Sequence, residues 1–520
     1  MVRYRVRELN VIIKKGRPGD IRVAIAYPST YEVALASLSY QMLYYYVNSR
    51  EGFIGERFVI QNLQGPEPLA LSIETGTPLD KFDVVLFSVH YEPDYVNILR
   101  LLRAGGVPLK ASERRGKPLV VVGGPPVIAN PEPLAEFVDV VVIGEIESTL
   151  PTLLDTYLEL GDNYTAFLDA LRPEQGFYTP PLGKPSRVTA NYAVNLSLDF
   201  HPIAQIQPLD KEPAWGRGTR VETSRGCYRN CAFCMEGRIF CLYRERPLDQ
   251  IVRIAVEGSK VNATNRVIFV ALSFFDHSRA KEILARMVEE GLKFSVPSLR
   301  AETLDEEALG LILSGGQKTL TIAPETASVN LALKLRKVVP RSRVEEVALA
   351  ARKLGFKSIK LYFMIGVPSE TISDVKAIVD YVASLSECSG FKGTRELKVT
   401  VSPLVPKPHT PLQLVPMISV EEARRRIAII KKGLSGIAEV RAYDPRWAKV
   451  QAILSRGGRE LARTLEVWAL VGGGLGGWRR AVRETKIREN IYLASYDWRD
   501  PLPWDFIKLP SPPRAQSAIE

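Results

Sequence analysis

Arg220-Val-Glu-Thr-Ser-Arg-Gly-Cys227-Tyr-Arg-Asn-Cys231-Ala-Phe-Cys234 decides how this chain is read. A strand-like run leads straight into a loop that holds three of the protein's five cysteines, spaced CxxxCxxC. Cysteine thiolates are the standard protein ligands of iron–sulfur clusters, which usually take four. A compact run of three leaves one iron of a [4Fe–4S] cube open to a small molecule that the cluster can reduce. A structural zinc site would need a fourth ligand from Cys241, Cys388 or a histidine, and CxxxC is an uncommon zinc spacing. A disulfide scaffold is disfavoured in a long chain with so few cysteines and no secretory signal.

Working outward, strand and helix signals alternate on the C-terminal side of the loop. After Arg220 to Thr223, strand-like runs recur at 266–272, 318–322, 358–363 and 397–401, with a shorter one at 293–295. Helical patterns at 248–258, 278–290, 305–313, 341–354 and 371–385 separate them. On the N-terminal side, apolar β-branched runs at 22–26, 84–88, 119–122 and 138–143 are spaced by helical patterns at 31–47 and 93–104. Fully apolar strands alternating with helices predict an open parallel sheet covered on both faces. Ligands of such sheets sit beyond the carboxyl ends of the strands. There the chain places Tyr27-Pro28, Ser88-Val89-His90, Gly123-Gly124-Pro125-Pro126 and Gly144-Glu145-Ile146-Glu147. Each taken alone reads as an ordinary turn.

These boundaries give four segments. Residues 1–185 form an α/β domain, 186–215 a linker, and 216–405 the βα-repeat. Residues 406–520 form a C-terminal extension, mainly helical, with a proline-rich tail from Pro501 that lacks a core of its own. The glycine cluster at 472–477 follows no strand and reads as a flexible turn between helices rather than a phosphate loop. The net charge of +11 comes from 69 basic and 58 acidic residues that are interspersed, a mild excess that allows an RNA partner without indicating one strongly. No apolar run is long enough to span a bilayer. The reducing cytoplasm suits an oxygen-sensitive cluster and is the expected location.

CxxxCxΦC, with Phe233 as the aromatic before the last cysteine, resembles the signature of the radical S-adenosylmethionine (SAM) enzymes. The resemblance implies a partial (β/α)6 barrel in which Cys227, Cys231 and Cys234 hold a [4Fe–4S] cluster and Phe233 packs near the SAM adenine. SAM would chelate the fourth iron and be cleaved reductively to a 5′-deoxyadenosyl radical. It also implies an electron donor such as ferredoxin or flavodoxin. By the same resemblance Glu325 is offered to the polar groups of SAM, and Ile365-Gly366 passes along the adenine. Ser273 sits where the SAM amino group is often contacted, although a Gly-Gly-Glu motif is missing. Arg300 matches the SAM carboxylate, because a guanidinium fits that geometry. Each of these is equally a strand-end residue or a helix cap. Glu236 is a substrate contact or a solvated charge, Cys241 lies near enough to the loop to be reactive, and Cys388 reads as inert.

Gly123-Gly-Pro, Ala129-Asn-Pro-Glu-Pro-Leu134 and Gly144-Glu-Ile-Glu147 resemble the N-terminal cobalamin-binding-like, Rossmann-type domain of cobalamin-type radical SAM proteins. Tyr27-Pro-Ser-Thr-Tyr-Glu32, Lys360 to Gly366, Val405 to Pro411, and Asp444-Pro-Arg446 with Arg456-Gly extend that resemblance over nearly the whole chain. The Asp-x-His-x-x-Gly motif that ligates cobalt is absent, and the domain's only histidine is His90, so cobalamin stays open. With it, methyl transfer is implied; without it, hydrogen abstraction leading to rearrangement or oxidation of an unidentified substrate. Methylthiolation, which needs a second cluster on three N-terminal cysteines, is disfavoured because no cysteine precedes Cys227. The alternative outside catalysis is a basic iron–sulfur protein that binds RNA or transfers electrons without cleaving SAM.

Overall fold

The computed structural model describes residues 6–510 apart from Pro66, Pro68, Arg115, Cys241 and Ser298. Two compact units emerge. The first holds the chain up to Arg217 together with Ile453–Tyr492 and Asp500–Pro510, and the second holds Gly218–Ala452 with Leu493–Arg499. This differs from the expected linker and C-terminal extension. Residues 186–215 belong to the first unit, and the region after 405 is shared between the two.

The first unit is built on β1 (Ile21–Tyr27), β2 (Phe53–Val59), β3 (Val84–Ser88), β4 (Leu119–Gly123), β5 (Val140–Val142) and β6 (Phe177–Tyr178). They form one sheet in the order β2-β1-β3-β4-β5-β6, parallel except for the β5–β6 pair. Four of these strands were legible as apolar runs. β2 was not, because Gly55, Glu56 and Arg57 interrupt its hydrophobic pattern, yet every residue in it is buried. Its charges are absorbed by partners. Glu56 pairs with Arg22 and accepts from Ser72 and Thr75, while Arg57 is fully buried between Glu8 and Glu74. The expected helix over 31–47 is two helices, Tyr31–Ala36 and Leu38–Ser49. Ser37 turns extended between them and caps the second through Tyr40 N–H.

The returning C-terminal segment is fastened by the motif after β4. Asn130 Nδ2 donates to the carbonyls of Ser455 (3.0 Å) and Gly457 (2.7 Å). Glu132 takes Arg459 on one oxygen and the Tyr178 hydroxyl on the other. Helices Ala462–Leu470 and Gly474–Thr485 follow, joined by Gly472, Gly473 and Gly474, all at positive φ (86°, 76° and 68°). Only glycine adopts three such conformations in succession without strain, so the cluster is a defined turn. The stretch from Pro501 also departs from expectation: Trp504, Phe506 and Ile507 are buried, and Ile507–Lys508 pairs with Val188–Thr189. The expected tail beyond Pro510 lies outside the described residues.

The second unit is a parallel βα series: β7 (Thr219–Glu222), β8 (Arg266–Val270), β9 (Lys293–Ser295), β10 (Thr319–Glu325), β11 (Ser358–Ile365), β12 (Leu397–Pro403) and β13 (Glu439–Ala442). β7-β8-β9 and β10-β11-β12-β13 run in chain order, and a parallel bridge from Leu299 to Ile322 links the two sets. β13 lies beyond the expected end of this unit at residue 405. Along β10, β11 and β12 buried and half-buried residues alternate. One face is therefore packed, and the other carries Thr321, Glu325, Tyr362, Met364, Thr400 and Ser402 within reach of solvent. Parallel strands are normally buried on both faces, so a polar, reachable face marks the side where a ligand can lie. Among the described residues no helix is long and apolar enough to cross a membrane.

Candidate active site

The cysteine loop follows β7 and is held by its own backbone. Gly226 precedes the first cysteine at φ 91°, where an added Cβ would lie 2.3 Å from Leu242 O. Cys227 N–H donates to Phe240 O, and Cys234 N–H to Cys231 O. Ala232 N–H reaches Leu335 O at 2.8 Å, at the end of helix Val329–Lys334. Gly237 N–H points at Cys234 Sγ from 3.4 Å. The three thiols are half-buried and free. Burial pushes the Cys227 thiol up and that of Cys234 up to about 12, so metal is what would deprotonate them. Among the described residues no three thiol, imidazole or carboxylate groups are gathered as a single metal ion requires. Cys241 lies outside the described residues.

Ion pairs tie this loop and its neighbours to the strand ends. Arg229, between the first two cysteines, makes a forked pair with Asp276 in the turn after β8, whose side chain is 1% exposed. Glu222, the last residue of β7, accepts from Arg225 at 2.8 Å and from the fully buried Arg246 at 3.1 Å. Downstream, His277 Nε2 lies 3.1 Å from Arg246 O while its Nδ1 accepts from Arg279 N–H, which makes the neutral ring with its proton on Nε2 the fitting tautomer.

The residues expected at the site fall at carboxyl ends of these strands. Ser273 is buried before the turn Phe274–Asp276. Arg300 follows β9 and pairs with Glu302 at 2.8 Å, while Arg300 Nε and Glu302 Oε2 stay buried without a partner. Glu325 closes β10 beyond a register irregularity, at φ 68°, and accepts from Lys337 at 2.7 Å. Gly366 stands at φ 79°, with Ile418 Cγ2 2.7 Å from where a Cβ would be, and donates its N–H to Glu370 at 2.7 Å. Glu370 is in turn paired with Arg426 and, because its burial outweighs these bonds, held above the usual carboxylate range. Phe233 packs in a cluster with Met364, Val367, Leu331, Leu335 and Leu412, which joins the cysteine loop to the end of β11. Ile365 is different: its side chain is fully buried on the packed face, and Met364 occupies the reachable one. The strict alternation in Thr319-Leu-Thr-Ile322 was the sequence signal for that reachable face.

In the first unit the sheet order reverses at β1, so a crevice lies between the ends of β1 and β3. His90 stacks on Tyr27 (5.5 Å between ring centres), and its Nε2 lies 3.0 Å from Ser39 Oγ and 3.2 Å from Ser88 Oγ. The imidazole keeps a solvent-reachable edge, yet the protein around it withdraws enough water to push its pKa down to about 4. Burial raises Asp94 to about 7, against a lowering hydrogen bond from Asn97.

The chain carries an open, mainly parallel α/β sheet and, later in the sequence, a cysteine loop at the first strand end of a parallel βα series, and the class is given by sequence comparison. The family model described as Radical SAM proteins, N-terminal, matches residues 39–180, and that of the Radical SAM superfamily matches residues 221–382. The uncharacterized protein MJ0966 of Methanocaldococcus jannaschii is 30% identical over 452 residues, 85% of this chain and 90% of that protein. The chain belongs to the radical SAM superfamily. The uncharacterized methyltransferase PH0819 of Pyrococcus horikoshii is 27% identical over 58% of this chain and 67% of its own length. A putative methylthiotransferase of M. jannaschii, MJ0865, is 24% identical over 58% of this chain and 65% of its own. Among solved structures, the radical SAM methyltransferase TsrM from Kitasatospora setae, with cobalamin and a [4Fe–4S] cluster bound, shares the fold. Its TM-score is 0.52 at 15% identity, covering 90% of this chain and 99% of that one. The cobalamin-dependent enzyme OxsB also has TM-score 0.52 and 15% identity, covering 80% and 58%.

Proposed function

We propose that this protein is a radical SAM enzyme with a [4Fe–4S] cluster on Cys227, Cys231 and Cys234, acting in cobalamin-assisted methyl transfer. The observation that carries it is the cysteine loop itself. Three free thiols sit at a strand end, fixed by backbone hydrogen bonds and by the Arg229–Asp276 pair, with Phe233 packed against the end of β11. The donor set fits the cluster: three thiols, an N–H facing one sulfur, and Gly237, whose missing side chain leaves space beside Cys234 Sγ. When bound, the cluster supplies the electron that cleaves SAM to methionine and a 5′-deoxyadenosyl radical.

The chain's own residues bind and orient. We read the βα series as the partial barrel and its reachable face as the floor on which SAM and substrate lie. Arg300 Nε and Glu302 Oε2, buried and unpartnered, keep capacity for the carboxylate and amino ends of SAM. Ser273 and Glu325 border the same strand ends. Met364 and the Gly366 backbone flank the Phe233 cluster where the adenine would pass, and Glu370 fixes Gly366 by taking its N–H.

Cobalamin is assigned to the switch-point crevice of the first unit, where the Tyr27–His90 stack offers a flat surface and a reachable ring edge. His90 Nε2 is already engaged by Ser39 and Ser88, so cobalt ligation by that nitrogen does not fit, in keeping with the missing Asp-x-His-x-x-Gly motif.

Anaerobic reconstitution with iron, sulfide and hydroxocobalamin, then reduction with SAM present, tests the reading. Native protein should yield 5′-deoxyadenosine or S-adenosylhomocysteine and retain corrinoid absorbance after desalting. Cys231→Ala should lose SAM turnover to background and keep the corrinoid. Turnover surviving in Cys231→Ala would remove the cluster assignment, and corrinoid washing off the native protein would remove cobalamin alone.

A further inference from the structure

The reachable face of the second unit carries two neighbouring cations without a carboxylate partner. Lys360 on β11 and Lys398 on β12 are register partners, side by side about 4.8 Å apart at the backbone. Both residues are half-buried, and among the described residues neither ammonium makes an ion pair or a hydrogen bond. Glu439, the register partner of Lys398 on β13, is drawn instead to Arg441 at 2.7 Å. On the other flank of Lys360, Thr321 supplies a hydroxyl and no charge. Like charges side by side on a sheet destabilise it, so packing does not explain the pair. The Lys360 ammonium lies 4.6 Å from the centre of the Tyr362 ring. Alternate residues of a strand stand about 6.6 Å apart, so these two side chains lean together. The hydroxyls of Tyr362 and of its register partner Thr400 make no hydrogen bond among the described residues. Two ammonium groups, a phenol and a threonine hydroxyl therefore share one patch of this face.

We propose that Lys360 and Lys398 bind a phosphate monoester on a small-molecule substrate. This rests on the reading of the same face as the floor on which the substrate lies. Charge selects the ligand. A phosphate monoester carries about −1.5 to −2 at pH 7, which two ammonium ions balance, whereas a carboxylate leaves about one positive charge over. Shape selects it as well. Lysine offers a compact point charge with rotatable donors, which suits a tetrahedral oxyanion, while a planar carboxylate is better matched by the fork of an arginine. An RNA backbone carries one charge per phosphate, and the two lysines stand half-buried among strand residues rather than along an exposed groove. Lys360 lies four residues before Met364, about 13 Å along the strand. A phosphate anchored there leaves the carbon skeleton to extend toward the strand ends, and no bond is made or broken at the lysines.

Calorimetry on the reconstituted full-length protein, oxidised and at low ionic strength, reads this anchor without SAM cleavage. The probes are glycerol 3-phosphate, glycerate and glycerol. Native protein should bind glycerol 3-phosphate at least tenfold more tightly than glycerate and give no heat with glycerol. Lys431→Gln, a matched loss of charge on the exposed side of helix Val420–Gly433, should behave as native. Lys360→Gln and Lys398→Gln should each weaken glycerol 3-phosphate at least fivefold, and Lys398→Arg should keep it within about threefold. The urea midpoints of the two Gln variants should be unchanged or higher, since removing one of two adjacent like charges relieves the sheet. Equal affinity in native protein and both Gln variants would overturn the site. So would a lowered midpoint in both, which would make the lysines supports of the fold. Glycerate bound as tightly as glycerol 3-phosphate would overturn the phosphate assignment and leave a general anion site. If these affinities hold while native protein fails to cleave SAM on reduction, the radical SAM reading fails and the phosphate site stands.

Discussion

Both units end a row of parallel strands in loops rich in glycine, proline and charge, and the two rows are used differently. In the second unit the charged residues at and after the strand ends pair locally: Arg229 of the cysteine loop with Asp276, Arg300 with Glu302, and Glu325 with Lys337. In the first unit the most motif-like residues, Asn130 and Glu132, are spent on the returning chain at Ser455, Gly457 and Arg459. What remains at its crevice is a stacked Tyr27–His90 pair and a crowded Asp94. Similar loop chemistry therefore serves cofactor geometry in one place and chain closure in the other. The partner of each polar atom, rather than the motif, tells them apart.

The sharpest way to test that contrast is Arg229→Ala. It strands the Asp276 carboxylate, 1% exposed, without its cation. Breaking a fully buried pair costs roughly 3–5 kcal/mol. Arg229 keeps a solvent-reachable edge, so about 2 kcal/mol is expected, read as a lower urea midpoint. If the pair positions the cysteine loop, cluster content after reconstitution should also fall at least twofold, measured as iron and sulfide per chain. A full complement of cluster in a destabilised variant would reduce the pair to fold stability and erase the difference between the units.

Asn130→Ala is the matching change in the first unit. It leaves the Ser455 and Gly457 carbonyls without their donor, at a cost of about 1–3 kcal/mol. Limited proteolysis should then cut within 453–492 faster, while cluster content stays unchanged. Loss of cluster in this variant would break the comparison from the other side.

These two residues also mark how far sequence reading reaches. The cysteine loop was legible because three thiols at fixed spacing on one short loop have few other uses, and the apolar strands of both units were legible from composition. Asn130-Pro-Glu132-Pro was visible as a motif, but its partners lie more than 300 residues away in the chain, and no local pattern encodes that pairing. β2 was hidden for a related reason: Glu56 and Arg57 look solvated until Arg22, Glu8 and Glu74 close around them. Ile365 was expected along the adenine only by resemblance, whereas the pleat buries it and gives the reachable face to Met364. Period-two alternation in β10 and β11 carried that information.

The smallest expected effect comes with an inverted sign. Asp94 titrates near 7 in the folded protein against an ordinary 3.8, with burial as the main cause and Glu92 adding to it. A carboxyl raised on folding binds its proton more tightly in the native state. Its burden on stability is therefore absent below the unfolded pKa and grows as pH rises toward the folded one. Asp94→Asn keeps a side-chain oxygen to accept from Asn97 Nδ2 and removes the charge. The variant should match the native protein near pH 4 and become more stable by about 1 kcal/mol at pH 8, after allowing for the part of Asp94 that water reaches. Paired urea titrations from pH 4 to 8 would show the gap opening between about pH 4 and 7. A constant offset across that range would mean that Asp94 is already ionised in the crevice. The first unit's strand ends would then carry a fixed negative charge beside the Tyr27–His90 stack, and the crevice would select a cationic ligand face rather than a neutral one.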